Sequence, residues 1–547
     1  MKKRVFSLML VCLMLVSILG GCKKETTPTD TPSADPTSAP AATEAPATTE
    51  APALPEYSEI TVEVFDRGTD AGKTDAADNY YTKWIQEKAL KDINLGVKFV
   101  KVSRWEETAQ LNNLMAASTA PDICFTYSAD LIAQYRDLGG LVDLAPYIEA
   151  MPELNKLLGP DPALEGRGLI ERNKTMETGA IYSIPARRMN VAKYGTFIRK
   201  DWLDKLGLPL PTTTQEFHDA LLAFKTQDPG GVGKDKVIPF TMTRDVRWRA
   251  SALLESFMDP SLTRKDRWVN NVIDRYYVEP GFKEGVRYMN TMFNEGLVDN
   301  QFMLYKDDTT ADDLIKSGVV GAFIHNWDQP YRESPGLLRD LKVNVPDAEI
   351  VSIDPFKNSN GVTAKEVYDA AGLSFFVPAT CKNIDGAVRY INWLSTFENR
   401  YYLQIGDEGV THEMVNGVPK MISATGEKIM NSANNIDYTF MINGIDVGDE
   451  SKMAQVIAQS YAVDQQLIVD AYANAMANST SPIIVPVTLS AAGPVTQTLI
   501  DKGETMMAET ITCKPADFDK TWDAAIQDWL ASGGQAVIDE RAAKYAE

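Results

Sequence analysis

Arginines and aromatic residues carry the most legible chemistry in this chain. Arg187-Arg188 is a neighbouring pair, and Thr243-Arg244-Asp245-Val246-Arg247-Trp248-Arg249 sets three arginines around a tryptophan. A guanidinium grips two oxygens at once, so such clusters suit a carboxylate-bearing partner; helix faces laced with salt bridges carry the same pattern. Catalytic groupings are scarce. The histidines are His218, His325 and His412, and neither H-E-x-x-H nor G-x-S-x-G occurs. The stretch Gly230-Gly-Val-Gly-Lys-Asp-Lys236 lacks the spacing of a phosphate-cradling loop. Asp307-Asp308 and Asp312-Asp313 are adjacent acids, whereas glycoside hydrolysis needs two carboxyls held across a cleft.

The elements that must position these groups alternate. Ile60 to Phe65 reads apolar-polar like a strand, and Asn79 to Lys91 reads as a helix with Tyr80, Trp84, Ile85 and Ala89 on one face. Leu95 to Val102 is a second strand, Trp105 to Ala117 a second helix, and Pro121 to Phe125 a short buried strand. Strand-helix alternation predicts an α/β fold with a mostly parallel sheet. Ligands collect at the carboxyl ends of such strands. That rule selects Asp66, Arg67 and Gly68 after the first strand, and Thr126, Tyr127 and Asp130 after the third.

The front of the chain is of another kind. Met1 to Arg4 is basic and Val5 to Leu19 is apolar, about fifteen residues where a membrane span needs roughly twenty. Leu19-Gly20-Gly21-Cys22 resembles the bacterial lipobox, so residues 1–21 read as a lipoprotein signal peptide and Cys22 as the lipidated residue. The segment 22–56 is, after Cys22, nearly all Thr, Pro, Ala, Ser, Asp and Glu, a disordered linker with a reach of roughly 100 Å. The body that follows exceeds one domain, which predicts two. With 54 basic against 75 acidic residues the net charge is −21, which argues against nucleic acid as a partner. Cys124, Cys381 and Cys513 are too few and too far apart for a disulfide framework.

Several stretches, in order, carry a family resemblance. Leu111-Asn-Asn-Leu-Met-Ala-Ala-Ser-Thr-Ala-Pro-Asp-Ile-Cys-Phe125, Gly179-Ala-Ile-Tyr-Ser-Ile-Pro-Ala-Arg187 and the Phe197 to Leu221 segment resemble those of bacterial extracellular solute-binding proteins, family 1. So do Gly281 to Phe302, Arg389 to Gly409 and Trp522 to Tyr545, and the chain looks most like the long lipoprotein oligosaccharide binders of ABC importers. The resemblance implies a two-lobed periplasmic-binding-protein-like fold with a cleft and hinge crossovers. Carried onto this chain, the N-terminal lobe takes 57–185 and 372–420 and the C-terminal lobe takes 186–371 and 421–547. It further implies an oligosaccharide ligand held between the lobes and ABC permease subunits with their ATPase as partners. The protein would be a monomer, tethered to the cell membrane through its lipid on the extracellular face.

On that resemblance the strand Gly318 to Asn326 precedes a sugar-stacking aromatic, which points to Trp327 with Asn326 and Asp328 beside it. Arg187 and Arg188 follow a crossover, and with Trp248 and its arginines they would suit an anionic sugar. Glu408 stands in a Gly-x-Glu-Gly turn like the family's. Relatives carry a calcium loop of alternating oxygen ligands where this chain has Asp228, Gly230, Val232, Lys236 and Val237. Valine offers no oxygen and calcium wants six to eight, so the reading is that no metal and no cofactor bind. Two other readings stay open: a sensor lipoprotein that presents a sugar to a membrane receptor, and a polysaccharide-degrading enzyme.

Overall fold

The computed structural model describes residues 54–545 apart from 69–73, 162–166, 176, 260, 334–335, 357–364, 486 and 488. The signal peptide, Cys22 and most of the linker therefore lie outside the described residues. The two main sheets are built from β1 (Ser58–Asp66), β2 (Leu95–Ser103), β3 (Cys124–Thr126), β4 (Ile184–Arg188), β5 (Tyr194–Arg199), β6 (Ile238–Thr241), β7 (Val320–Asn326), β8 (Ile350–Ile353), β9 (Ala371–Phe376) and β10 (Ile442–Asn443).

Local chemistry explains the first elements. Val62 to Phe65 in β1 are all buried, as in a strand covered on both faces. The helix Tyr80–Ile93 starts at Asn79, whose side chain accepts from the backbone N–H groups of Tyr81 and Thr82, and ends at Asn94 in the left-handed region. Its buried face carries Tyr81, Ile85 and Ala89. The helix expected from Trp105 begins instead at Glu107, after a tight turn over Arg104–Glu106.

β1 pairs in parallel with β2, and Val62 pairs in parallel with Ile123 just before β3. β9 lies between β3 and β4, antiparallel to both, and β10 runs parallel to β4. The mostly parallel expectation thus holds for β1 to β3 and fails at β9, which enters the sheet from the opposite end. In the second sheet the order is β8-β5-β7-β6, with β5 antiparallel to β7 and β8, and β6 parallel to β7.

Each sheet has its own core. One packs Ile60 through Ala186 with Leu373 to Leu403 and Tyr438 to Ile442. The other packs Tyr194 through Phe356 with Leu499 to Val537, flanked by a cluster containing Phe197, Trp327, Tyr331 and Ile468. Among the described residues the chain passes from one core to the other between Met189 and Tyr194, between Phe356 and Leu373, and between Ile442 and Ala458, three crossings in all. The expected return after residue 420 comes too early: Tyr438 donates to the Ala76 carbonyl at 2.8 Å and keeps that stretch in the first lobe.

Cys124 and Cys381 are buried free thiols and Cys513 is half-buried. No helix among the described residues is long and apolar enough to cross a membrane. Glu279 is buried in the second lobe with Oε2 unpartnered. Burial pushes its carboxyl up to about 7, with Arg267 opposing and Asp266 adding. A neutral folded form beside an ionised unfolded one contributes stability that is full below the ordinary carboxylate pKa and lost as pH rises through about 7. Urea midpoints measured from about pH 5 to pH 8 are expected to fall for the natural protein. The fall should shrink in Glu279→Gln by up to about 3 kcal/mol; equal slopes would refute it.

Candidate functional site

Strand direction decides where the carboxyl ends lie. Because β9 opposes both β3 and β4, the ends of β1, β2, β3 and β4 all reach one edge of the first sheet. That edge carries Asp66 and Arg67, Arg104 and Trp105, Tyr127, and Arg187 and Arg188, and there the chain leaves for the second lobe. In the second sheet the ends of β6, β7 and β8 and the start of β5 share an edge beside the same crossings. It carries the arginine stretch after Thr243, Asn326 to Asp328, and Tyr194.

On the first edge the Tyr127 ring stacks on Phe65, 6.2 Å between centroids and 15° between planes. The Arg104 guanidinium sits 4.1 Å from the Tyr127 centroid and 5.4 Å from that of Trp105. Glu107 fixes this arrangement: it pairs with Arg104 at 3.0 Å and accepts from Thr126 Oγ1 at 2.8 Å and the Tyr127 amide at 2.9 Å. Trp105 is 74 % exposed, and its Nε1 donates to the Arg67 carbonyl at 3.4 Å. An exposed indole beside a fixed Tyr–Arg stack offers an apolar face with hydrogen-bonding groups at its rim, what a sugar ring needs.

The crossings add a second group. The Arg188 guanidinium lies 5.2 Å from the Tyr368 ring, and Lys193 lies between Tyr194 and Tyr368 at 4.9 and 5.7 Å. Glu366 pairs with Lys193 at 2.8 Å and accepts from Tyr276 Oη at 2.8 Å. Tyr368 Oη donates to Asn326 Oδ1 at 3.5 Å, and Trp248 meets Tyr194 edge-on at 5.2 Å.

Several residues singled out in the sequence have other work. Trp327 is 4 % exposed, with Tyr472 edge-on at 5.5 Å and Tyr461 at 6.5 Å; it is a core residue of the second lobe with no free face for a sugar. Asp328 is buried, held by Arg332 at 2.6 Å and by the Tyr461 hydroxyl. Arg67 makes two hydrogen bonds to buried Asp437, at 2.7 and 2.8 Å. Arg187 pairs with Asp161 at 2.7 Å and with Glu450. Arg249 is fully buried, with Asp308 at 3.2 Å and Asp312 at 3.5 Å. Asp66 caps its turn by accepting from Gly68, Asp130 is exposed at a helix start, and Glu408 is exposed in a turn paired with His412.

Arg104, Trp105, Lys193, Glu366 and Tyr368 escaped the sequence reading. The strand-end rule applied to β1 and β3 would have found Arg104 and Trp105 after β2, had Trp105 not been read as the first residue of a helix.

The loop after helix Thr214–Gln227 does not suit calcium. Asp228, left-handed at φ 50°, turns both carboxylate oxygens onto backbone, accepting from Val232 at 3.0 Å and Gly233 at 2.9 Å. Two lysines follow in the turn Lys234–Lys236. Among the described residues no group of His, Cys, Asp and Glu is placed to hold a metal. Calcium or a chelator is expected to leave the melting temperature unchanged; a rise on adding calcium would overturn this reading of the loop.

Comparison with known proteins places the chain among sugar-binding relatives. The chain is 28 % identical over 185 residues to the polygalacturonan/rhamnogalacturonan-binding protein YtcQ of Bacillus subtilis, a match covering 32 % of this chain and 35 % of YtcQ. It is 37 % identical over 99 residues to the fructooligosaccharide ABC transporter substrate-binding protein FusA of Streptococcus pneumoniae, 17 % of each chain. The matches thus span about a third or less of these relatives. An extracellular solute-binding protein from Bifidobacterium longum subsp. infantis superposes with a TM-score of 0.60 at 19 % identity, covering 89 % of this chain and 97 % of the other. It shares the two-lobed fold. Residues 71–400, well over half the sequence, match the bacterial extracellular solute-binding protein family, and the chain belongs to that family.

Proposed function

We propose that this protein captures an oligosaccharide between its lobes and delivers it to the permease of an ABC importer. The reading rests above all on the convergence of both sheet edges on the crossings, with exposed Trp105 over a fixed Tyr127–Arg104 stack. The protein works outside the membrane as a monomer, lipidated at Cys22, and alters no bond of its ligand; the family consists of binding proteins. Opening and closing of the lobes is its mechanism, and ligand favours the closed form through its higher affinity for it. Arg67, Arg104, Arg187 and Lys193 already hold carboxylates, which favours a hydroxyl-rich neutral sugar over an anionic one.

A thermal-shift screen of fructo-oligosaccharides against oligogalacturonates tests both the class and the charge of the ligand. For the sugar that binds, Trp105→Ala is expected to lower affinity by about 1–2 kcal/mol, roughly 5- to 30-fold, with the melting temperature kept because the side chain is exposed. Unchanged calorimetric affinity would remove Trp105 from the site, and cleavage of the sugar would end the binding-protein reading.

A further inference from the structure

Arg187 and Arg188 end β4, and strand alternation turns them to opposite faces. Arg187 is engaged by Asp161 and Glu450. Arg188 is not: among the described residues no carboxylate pairs with it, no acceptor takes a hydrogen bond from its guanidinium, and its enclosed Nε is unpartnered. The other cations of this edge and of the crossings, Arg67, Arg104 and Lys193, all hold carboxylates. Instead, the Arg188 guanidinium stands 5.2 Å from the ring of half-buried Tyr368. That ring is fixed from two sides, its amide donating to the Val191 carbonyl at 2.8 Å and its hydroxyl to Asn326 of the second lobe at 3.5 Å. Enclosed donors are nearly always satisfied, and a guanidinium's rigid fork suits two neighbouring oxygens.

Strand order sets the distance from this group to Trp105. From β2 the strands run through β1, β3 and β9 to β4, with β1 joined to the chain just before β3. Four spacings of about 4.8 Å put the ends of β2 and β4 about 19 Å apart. Trp105 leans one strand nearer, to the Arg67 carbonyl after β1, which leaves about 14 Å. A disaccharide is too short to touch both groups, whereas a longer oligosaccharide laid across the strand ends reaches both.

We propose that Arg188 is the far contact of the binding edge, gripping two neighbouring ring oxygens of a sugar unit remote from the one on Trp105, and that it makes the protein selective for oligosaccharides longer than two units. This rests on the oligosaccharide-binding reading above and adds the length of the ligand to it. Because the side chain closes no ion pair, folding does not depend on it.

The test uses the full chain with fructo-oligosaccharides and oligogalacturonates of graded length, measured by calorimetry. In the natural protein affinity is expected to climb with length beyond the disaccharide and then level off. Arg188→Met should keep the melting temperature and the affinity for disaccharide while binding the long sugars about tenfold or more weakly. Arg188→Lys keeps the charge but not the fork and should remain weakened for the same long sugars. A merely structural role would lower the melting temperature or weaken short and long sugars alike, and either result would overturn the proposal. Natural affinity for the long sugars in Arg188→Met, with affinity still lost in Trp105→Ala, would overturn it too and leave the binding function standing. Failure of the natural protein to bind any of these sugars would overturn both.

Discussion

Trp327→Ala is expected to lower the unfolding free energy by about 3–5 kcal/mol, the usual loss when a large aromatic leaves a filled core. The ring is 4 % exposed and sits in a cluster with Phe197, Tyr331 and Ile468, with tyrosine edges at 5.5 and 6.5 Å. Urea unfolding measures the loss, and the fraction that remains folded should bind sugar as the natural protein does. A variant with natural stability and abolished binding would restore Trp327 as the stacking residue and refute its core assignment.

Asp437→Ala is expected to cost a similar amount, about 3–5 kcal/mol, for a different reason. Asp437 is 1 % exposed at its side chain and Arg67 16 %, and they share two hydrogen bonds. Removing the carboxylate leaves a largely buried guanidinium unpaired, and the desolvation already incurred is no longer offset. Replacing both, as Arg67→Met with Asp437→Leu, should recover most of the loss, since apolar packing can substitute for an intact buried pair. Denaturant midpoints of the two single variants and the double variant decide it. Additive losses would show that the pair contributes no coupling.

The sequence was most legible where structure is local. The alternation from Ile60 to Phe125 located β1 to β3 and the helices between them because each signal spans fewer than fifteen residues. The edge of the first sheet followed from the strand-end rule, and Tyr127 and Arg188 stand there. What escaped is set by distant partners. No pattern near Arg67 announces that its guanidinium is engaged by a residue 370 positions away. No pattern near Tyr438 says that it packs beside Ala76. Trp327 was misplaced for a subtler reason: position after a strand tells which edge a residue reaches, and not which way its side chain turns. The conspicuous arginines mostly close ion pairs, so charge clustering reported packing more than ligand.

Three crossings mean that neither lobe is a continuous stretch of gene. A chain emerging amino end first presents β1 and β2 long before β9 and Asp437 exist to complete that sheet. Until roughly seven-tenths of the polypeptide has appeared, β3 and β4 lack the strand that joins them, and bare strand edges invite association with other chains. Assembly is therefore gated by the late segments, and slow, as pairing across such separations is. A nascent chain stalled or clipped before Ile442 leaves no finished half, only material for a chaperone or a protease.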